Sequence, residues 1–202
     1  SWGENPGLAG AKSAFIKTGL TKAGMPGDDE GMCLEGRNAP SPTLIFTSPS
    51  HPFPFGSVLS ARRRLALLEL ARQHNAWIIE DDYDSEFRYT GEPVPAMLGM
   101  VNNAPVVYLG TFSKTLFPSL RMGFMVLPPA LAKASRAAIG SLLRGGHRAE
   151  QRTLALFIEE GHYARHLAAM RRLYRKRYRQ LREALSTALH TPHRILAGEG
   201  GM

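Results

Sequence analysis

The sequence predicts an α/β fold in which a mostly parallel central sheet carries helices on both faces. Short apolar runs typical of strands alternate with helical segments between residues 43 and 127. Polar, chemically active residues follow directly after these runs, as they do in sheets that bind ligands. Hydrophobic residues make up 44% and charged residues 21% of the 202 residues, which indicates a folded globular protein and excludes a disordered one.

The first predicted strand covers residues 43–47, and a turn-rich segment with three prolines follows it. Ser60 then begins a predicted helix, since its hydroxyl can accept a hydrogen bond from a backbone N–H of the first turn. We expect this helix to end near His74. Its apolar stripe is predicted to include Leu65, Leu68 and Leu70.

Three further strands are predicted at residues 76–79, 106–109 and 123–127. The first of these ends at Glu80 and Asp81, and the second ends at Gly110 and Thr111. Ligands bind beyond the carboxyl ends of parallel strands in such sheets. These two strand ends are therefore the predicted location of a functional site.

Residues 147–189 are helical in character, and Gly161 is expected to separate a shorter helix from a long basic one. A solvated helix face is favoured over a DNA contact for the long helix, because apolar residues interleave with the charges at helical spacing. The basic residues are Arg165, Arg171, Arg172, Arg175, Lys176, Arg177, Arg179 and Arg182. We expect residues 1–146 to belong to a large domain, and residues 147–202 to hold interdomain helices and the start of a smaller C-terminal domain.

The overall charge and the cysteine content limit the possible classes of protein. The net charge is +8, from 25 Lys+Arg and 17 Asp+Glu, but much of the excess lies in the long basic helix. A single cysteine, Cys33, excludes an internal disulfide framework and favours a reducing cytoplasm. No long apolar run or signal peptide is apparent, so no membrane partner is expected. No metal site is predicted, because His147, His162 and His166 lack partners at ligand spacing.

A lysine flanked by hydroxyls is the most informative part of the sequence. Lys114 lies close to Thr111 and Ser113, and Arg121 comes seven residues later. These residues predict a pyridoxal phosphate site, because the aldehyde of that cofactor needs a lysine amine to form a Schiff base. Its phosphate needs a fixed cation and short-range donors, which the arginine and the two hydroxyls can supply. Its ring nitrogen needs an anion, and the carboxylate of Asp81 can provide it.

The acidic run before this segment has more than one interpretation. Its carboxylates repel one another unless a cation is near, and a pyridinium is one such cation. The run contains Glu80, Asp81, Asp82 and Asp84. Asp81 can also be a capping carboxylate, Tyr83 can place its hydroxyl in water or donate it to the cofactor, and Arg121 can pair with a surface carboxylate. A structural or exposed position is favoured for His51 over a role as general base.

Together these motifs resemble the MocR subfamily of GntR-type transcriptional regulators. The resemblance is carried by residues 48–51, 76–89 and 108–118, and by the later segments 157–167 and 170–174, so it extends over nearly the whole chain. Members of that family join an N-terminal winged helix-turn-helix to a large domain similar to the pyridoxal-phosphate-dependent fold type I aminotransferases. The resemblance therefore implies that this chain is part of such a large domain, followed by a long helix towards a small domain.

The resemblance also implies roles for individual residues. Lys114 matches the Schiff-base lysine, Asp81 the partner of the pyridine nitrogen, and Tyr83 the contact to the phenolic oxygen. The phosphate-binding side is matched by Thr111, Ser113 and Arg121.

Partners and activity follow from the same resemblance. It implies a cytoplasmic homodimer that senses a small amino compound and contacts DNA through a winged helix-turn-helix outside this sequence. A catalytic class I/II aminotransferase acting on amino acids stays open, because it would use the same residues. Where the family usually has Pro-Gly-Tyr, with the tyrosine stacked on the cofactor, this chain has Leu8 after Pro6 and Gly7; it also has Pro52 and Phe55 where the family often has Gln and Thr.

Overall fold

The structure, a computed structural model, describes residues 1–5, 7–34, 40–52, 56–89 and 95–191. Its strands are β1 (Trp2–Glu4), β2 (Ala23–Met25), β3 (Gly27–Asp28), β4 (Gly31–Met32), β5 (Leu44–Thr47), β6 (Trp77–Asp82), β7 (Val106–Thr111) and β8 (Gly123–Val126). Its α-helices are α1 (Ala9–Lys17), α2 (Ala61–Gln73), α3 (Met97–Met100), α4 (Pro129–Leu143), α5 (Arg148–Glu159) and α6 (His162–Ala188). Single 3₁₀ turns lie at Ser85–Phe87 and Pro118–Leu120. Pro6, Phe55 and residues 192–202, on which some of the expectations fall, lie outside the described residues.

Six of the strands form one sheet in the order β2-β1-β5-β6-β7-β8. Every neighbouring pair in it is parallel except β7 and β8, which are antiparallel. The predicted mostly parallel sheet is therefore confirmed, as are the four predicted strands, now β5 to β8. The sequence patterns did not predict β1 to β4, because strands of two or three residues are too short to show an alternating pattern.

Helices cover both faces of the sheet, as predicted. α2 and α3 pack on the face that holds the main core, which includes Ile45, Leu67, Leu68, Ile78 and Met97. Phe46 follows Ile45 in β5 and therefore points to the opposite face. There it packs edge to face against Phe15 of α1, with 6.2 Å between the ring centroids. Within the described ranges, no helix is both long enough and apolar enough to span a lipid bilayer.

Helix α2 begins where it was predicted to begin, but it buries a different stripe. Leu65 is 47% exposed, so its assignment to the buried stripe was wrong, whereas Leu68 is buried and Leu70 packs against the core in part. The buried positions follow the helical repeat i, i+3, i+4 and i+7; they are Arg64, Leu67, Leu68 and Ala71. Because the first of these positions is an arginine, the hydropathy pattern does not show which residues form the buried stripe.

The N-terminus of α2 gives a stability prediction. The hydroxyl of Ser60 accepts a hydrogen bond from the backbone N–H of Arg63, at 3.3 Å, and so caps the helix. Ser60→Ala leaves that N–H without its partner and is expected to lower the free energy of unfolding by about 1 kcal/mol. Denaturant unfolding followed by circular dichroism measures this, and Ser60→Gly should cost only a few tenths of a kcal/mol. Equal losses for alanine and glycine would contradict the capping role.

A buried ion pair joins α2 to the sheet. Nη1 of Arg64 lies 3.5 Å from Oε1 of Glu80, and both side chains are 1% exposed. The arginine also donates to three backbone carbonyls, and the glutamate accepts from two backbone N–H groups at the start of α3. The carbonyls are those of Pro49, Leu59 and Pro95, and the N–H groups are those of Met97 and Leu98. The pair thus holds β6, α3 and the segment after β5 in one arrangement.

The predicted helical region after residue 147 contains α5 and α6, with Gly161 between them at φ 74°. The eight basic residues of α6 named above are exposed, as expected for a solvated face. An aromatic stripe of α6 lies across the segment that follows β6, and two of the arginines, Arg171 and Arg175, contact the same segment. Tyr174 packs on Phe87 with 5.2 Å between ring centroids, and Tyr178 packs on Tyr89 with 5.7 Å.

Candidate functional site

Two predicted site residues lie at the same edge of the sheet, namely the edge that is formed by the carboxyl ends of its parallel strands. Asp81 is near the carboxyl end of β6, and Lys114 follows the end of β7 by three residues. β6 and β7 are neighbouring parallel strands, with Asp81 opposite Leu109 in the register. The topology therefore brings the carboxylate of Asp81 and the segment with Lys114 to one edge, where ligands bind in sheets of this kind.

The acidic run is divided among separate partners, which relieves the repulsion expected from the sequence. The strand pleat sends successive side chains in opposite directions. Three of the four acids have partners within the fold: Arg64 for Glu80, the hydroxyls of Tyr108 and Ser85 for Asp82, and His51 for Asp84. Only the remaining acid, Asp81, is then left to meet a cation from outside the described part of the chain.

Asp81 is the half-buried carboxylate of this edge. Among the residues that the structure describes, no hydrogen-bond donor or cation reaches its side chain. Burial, followed by the nearby charge of Asp82, raises the pKa of Asp81. A carboxylate held in this way gains stability as an anion when a cation is placed beside it, which is what a protonated pyridine nitrogen would supply.

The lysine loop runs from Thr111 to Met122 and is closed by its own backbone. The N–H of Leu116 donates to the carbonyl of Phe112, and the N–H of Phe112 donates to the carbonyl of Met122. Lys114 is exposed at the head of this turn. Its primary amine is therefore accessible to a carbonyl compound.

The hydroxyls and the arginine predicted to bind phosphate flank this loop. The hydroxyl of Thr111 donates to the hydroxyl oxygen of Ser113 at 3.1 Å, and the N–H of Ser113 donates back to Thr111 at the same distance. Arg121 is exposed and adopts a left-handed conformation with φ 52° just before β8. The structure thus places the three residues on one short loop, and their contact with a phosphate stays a prediction.

The start of α6 holds the lysine loop from its other side. Nε2 of His166 lies 3.0 Å from the carbonyl oxygen of Thr115, the residue after Lys114. Tyr163, one turn earlier, packs edge to face on Phe112 with 5.9 Å between ring centroids. These two contacts bracket the lysine, and the sequence patterns did not predict them.

Tyr83 and His51 form an arrangement that the sequence did not reveal either. The hydroxyl of Tyr83 donates to the backbone carbonyl of His51, and the two rings stack with 6.2 Å between centroids. Nδ1 of His51 lies 2.6 Å from Oδ2 of the buried Asp84. That hydrogen bond raises the pKa of His51. The predicted structural position of this histidine is confirmed, yet it contacts the tyrosine assigned to the cofactor.

Glu4 is a further buried acid at this edge, at the carboxyl end of β1. Its Oε1 accepts from the hydroxyl of Thr47, at 2.6 Å, and from the N–H of Ser48, at 3.0 Å. Burial raises the pKa of Glu4. These bonds fix the end of β5 against β1, and Leu8 follows shortly after at the exposed start of α1.

The family described as aminotransferase class I and II matches residues 33–202. The chain belongs to the aminotransferase class I and II family. Its six-stranded sheet with one antiparallel edge strand, and its lysine loop after β7, are thus features of a member of this family.

Several curated relatives of this aminotransferase-family chain are named as regulators, and one, from Thermococcus litoralis and 29% identical over 187 residues, is named as an aromatic-amino-acid aminotransferase, with 88% of this chain and 45% of that protein covered. This chain is 46% identical over 176 residues to the probable rhizopine catabolism regulatory protein MocR of Rhizobium meliloti, an alignment that covers 87% of this chain and 36% of that protein. It is 39% identical over 199 residues to the HTH-type transcriptional regulator YdeL of Bacillus subtilis, covering 98% and 43%. The predicted similarity to MocR-type regulators is confirmed, and the chain spans about two fifths of the length of these relatives.

Solved structures place the fold among aminotransferases. The kynurenine aminotransferase of Pyrococcus horikoshii, solved in complex with PMP, matches with a TM-score of 0.88 and 30% identity. The match covers all of this chain and 52% of that one. The predicted fold class, a partial class I/II aminotransferase domain with a mostly parallel sheet, is confirmed.

Proposed function

We propose that this chain is the pyridoxal-phosphate-binding domain of a MocR-type transcriptional regulator, and that it senses a small amino compound at Lys114. The observation that carries the proposal is Asp81, a half-buried carboxylate with no partner among the described residues, at the edge where Lys114 follows the next strand. The similarity to MocR-type regulators supports the regulatory part of the proposal.

The residues at this edge fit the chemical groups of the cofactor. Lys114 offers the amine for the aldehyde, Asp81 the anion for the ring nitrogen, and Tyr83 a phenol for the phenolic oxygen. The phosphate is assigned to Thr111, Ser113 and Arg121. When bound, the cofactor supplies an electron sink for the carbon that carries the ligand amine.

The residues assigned to the phosphate have hydrogen-bond donors that are not used within the described part of the chain. The bond between the hydroxyls of Thr111 and Ser113 needs only one of their two protons, so the other can be donated to a phosphate oxygen. The guanidinium of Arg121 has no ion-pair partner in the described part of the chain and can meet the phosphate in a bidentate manner. Asp81 keeps the ring nitrogen protonated, since its carboxylate is committed to no other donor there.

A sensing step would act through the lysine loop. If a ligand amine took the place of the Lys114 amine at the bound cofactor, the lysine side chain would be released with its amine free and could change its position. The loop is tied to α6 through His166 and Tyr163, so a shift of the loop reaches the long helix directly. Such a shift can bias a two-state domain arrangement, provided that the ligand binds the two states unequally.

The partners belong to the whole regulator. We assign DNA contact to a winged helix-turn-helix outside this sequence, and we place the protein in the cytoplasm as a homodimer in which residues 1–146 form the large-domain part. The second candidate function is amino acid transamination, which the similarity to solved aminotransferases favours. In that case the freed Lys114 moves a proton from the amine-bearing carbon of the substrate as general base.

Amine titration separates the two functions. The chain is mixed with pyridoxal phosphate, a panel of amino acids and simple amines is added, and the absorbance spectrum and the 2-oxo acid produced are both measured. A regulator is expected to show a Lys114-dependent spectral change with one amine and no repeated turnover when an acceptor 2-oxo acid is present. Many turnovers per chain would establish the aminotransferase instead. No amine-dependent change would contradict sensing at this site.

Leu8 gives a prediction about cofactor affinity. It stands where the family usually has a tyrosine stacked on the cofactor, and it is 48% exposed just before α1. Leu8→Tyr adds an aromatic face worth about 1 kcal/mol and is expected to tighten pyridoxal phosphate binding about fivefold. Fluorescence titration measures this, with Ile16→Tyr, a substitution at an exposed position of α1, as control. Equal effects of the two substitutions would contradict a stacking position at residue 8.

A further inference from the structure

Two contacts join residue 51 to the pair of residues that ends the acidic run. The imidazole of His51 meets the carboxylate of Asp84, and the backbone carbonyl of the same histidine accepts the hydroxyl proton of Tyr83. Because Tyr83 and Asp84 are consecutive, these contacts close a small ring, here called the 51–84 clasp. The side chain of Asp84 is only 5% exposed, and the stacked rings of His51 and Tyr83 lie 18° from parallel.

The clasp takes up the one proton that the tyrosine can donate. A phenol has a single O–H donor and two acceptor lone pairs. Burial and the negative charges of Asp84, Asp81 and Glu4 raise the pKa of Tyr83, so it stays a protonated donor. The phenolic oxygen of pyridoxal phosphate, once ionised, can only accept. The same proton therefore cannot serve the His51 carbonyl and the cofactor at once.

We propose that the 51–84 clasp competes with the cofactor for the Tyr83 proton, and that His51 is thereby a positioning residue that sets the pKa of the Schiff base at Lys114. This inference rests on the proposed cofactor site. His51 does not contact the reacting atoms in this scheme. It holds the backbone carbonyl of residue 51 under the tyrosine, because its imidazole is anchored on a buried carboxylate.

The direction of the effect follows from simple electrostatics. The Schiff-base nitrogen keeps its proton partly through the anionic phenolic oxygen beside it. A hydrogen bond from Tyr83 to that oxygen spreads its charge and lowers the pKa of the nitrogen. A closed clasp withholds this bond, so that the pKa is higher. A substitution that loosens the clasp should therefore lower the pKa of the Schiff-base nitrogen, whereas a substitution that removes the tyrosine hydroxyl should not lower it.

The experiment is a pH titration of the lysine-dependent absorbance band, in the chain loaded with pyridoxal phosphate. His51→Ala is expected to move the midpoint down by roughly 0.5–1 pH unit. In the Tyr83→Phe background the same histidine substitution should have no effect, since the proton for which the clasp competes is gone. His74→Ala, an exposed histidine at the end of α2, is the matched control and should leave the midpoint unchanged.

A second measurement needs no cofactor and tests whether the clasp exists, separately from its effect on the Schiff base. Histidine ring signals in the nuclear magnetic resonance spectrum report the pKa of His51, which Asp84→Asn should lower if the clasp exists in solution. An unchanged or raised midpoint in His51→Ala, or the same shift in the Tyr83→Phe background, would overturn the competition. A further outcome is that the pKa of His51 depends on Asp84 while no lysine-dependent absorbance band forms. That result would show that the clasp exists, but it would overturn both the inference and the proposed cofactor site.

Discussion

Arg64→Ala is expected to destabilise this protein by about 3–5 kcal/mol, the loss typical of removing one partner of a buried ion pair. The substitution leaves the carboxylate of Glu80 buried and uncompensated, and it deprives three backbone carbonyls of their donor. It also frees α3 and the segment after β5, which carries His51. Chemical denaturation with a linear extrapolation to water measures the loss.

The cause of this loss can be isolated with two comparisons. Arg62→Ala removes an exposed arginine of the same helix, paired with Glu30 at the surface, and should cost only about 0–1 kcal/mol. Arg64→Met should cost less in a Glu80→Gln background, because no buried charge is then left alone. If Arg64→Met is equally damaging in both backgrounds, lost packing and not the uncompensated charge explains the effect.

The pH dependence of Arg64→Met has a defined sign. Burial raises the pKa of Glu80 above its value in the unfolded chain. The folded state therefore binds more protons than the unfolded one, and stability falls as the pH rises through the folded pKa. Without the arginine this trend should become steeper, so the variant is expected to lose more stability at pH 7 than at pH 5.

Asp81→Asn should have opposite effects on binding and on stability. The asparagine cannot pair with a pyridinium, and loss of a buried charge partner typically costs about 2–5 kcal/mol, which corresponds to at least ~30-fold weaker cofactor binding. Without cofactor the same substitution removes a half-buried carboxylate that has no partner among the described residues. The cofactor-free chain is therefore expected to become more stable at neutral pH. Cofactor titration and thermal unfolding measure the two effects.

Asp82→Asn is the matched control for this prediction. Asp82 is the next residue, but its carboxylate accepts from Tyr108 and Ser85 within the fold. Its substitution should lower stability and leave cofactor affinity nearly unchanged. Equal losses of affinity in both variants would show that the charge of the run as a whole matters, and not the particular carboxylate of Asp81.

Much of the architecture could be predicted because it depends on local patterns. The strands β5 to β8, the cap at Ser60 and the break at Gly161 each leave a signal within a few residues. The predicted topology alone indicated that Asp81 and Lys114 lie beside the carboxyl ends of neighbouring parallel strands. The short strand β1 and the helix α1 were not predicted, since three residues show no period and α1 has an exposed, weakly patterned surface.

The long-range contacts around the candidate site could not be predicted, because they join distant residues of ordinary appearance. Arg64 looks like one of three solvated arginines at the start of α2, and only the packing of α2 on β6 buries it. His51 looks like a lone histidine in a loop, and Asp84 like the last of four acids. Their pairing depends on the segments after β5 and β6 meeting at one edge, which no local pattern encodes.

The most direct test of the cofactor site is to find which lysine binds pyridoxal phosphate. The chain is incubated with the cofactor, reduced with borohydride and digested with a protease. The masses of the peptides are then measured by mass spectrometry. We expect one stoichiometric adduct on the peptide that carries Lys114. This adduct should be lost in Lys114→Ala and kept in Lys133→Ala, which removes an exposed lysine of α4. Adducts spread evenly over exposed lysines, or kept in Lys114→Ala, would contradict a cofactor site at this edge of the sheet.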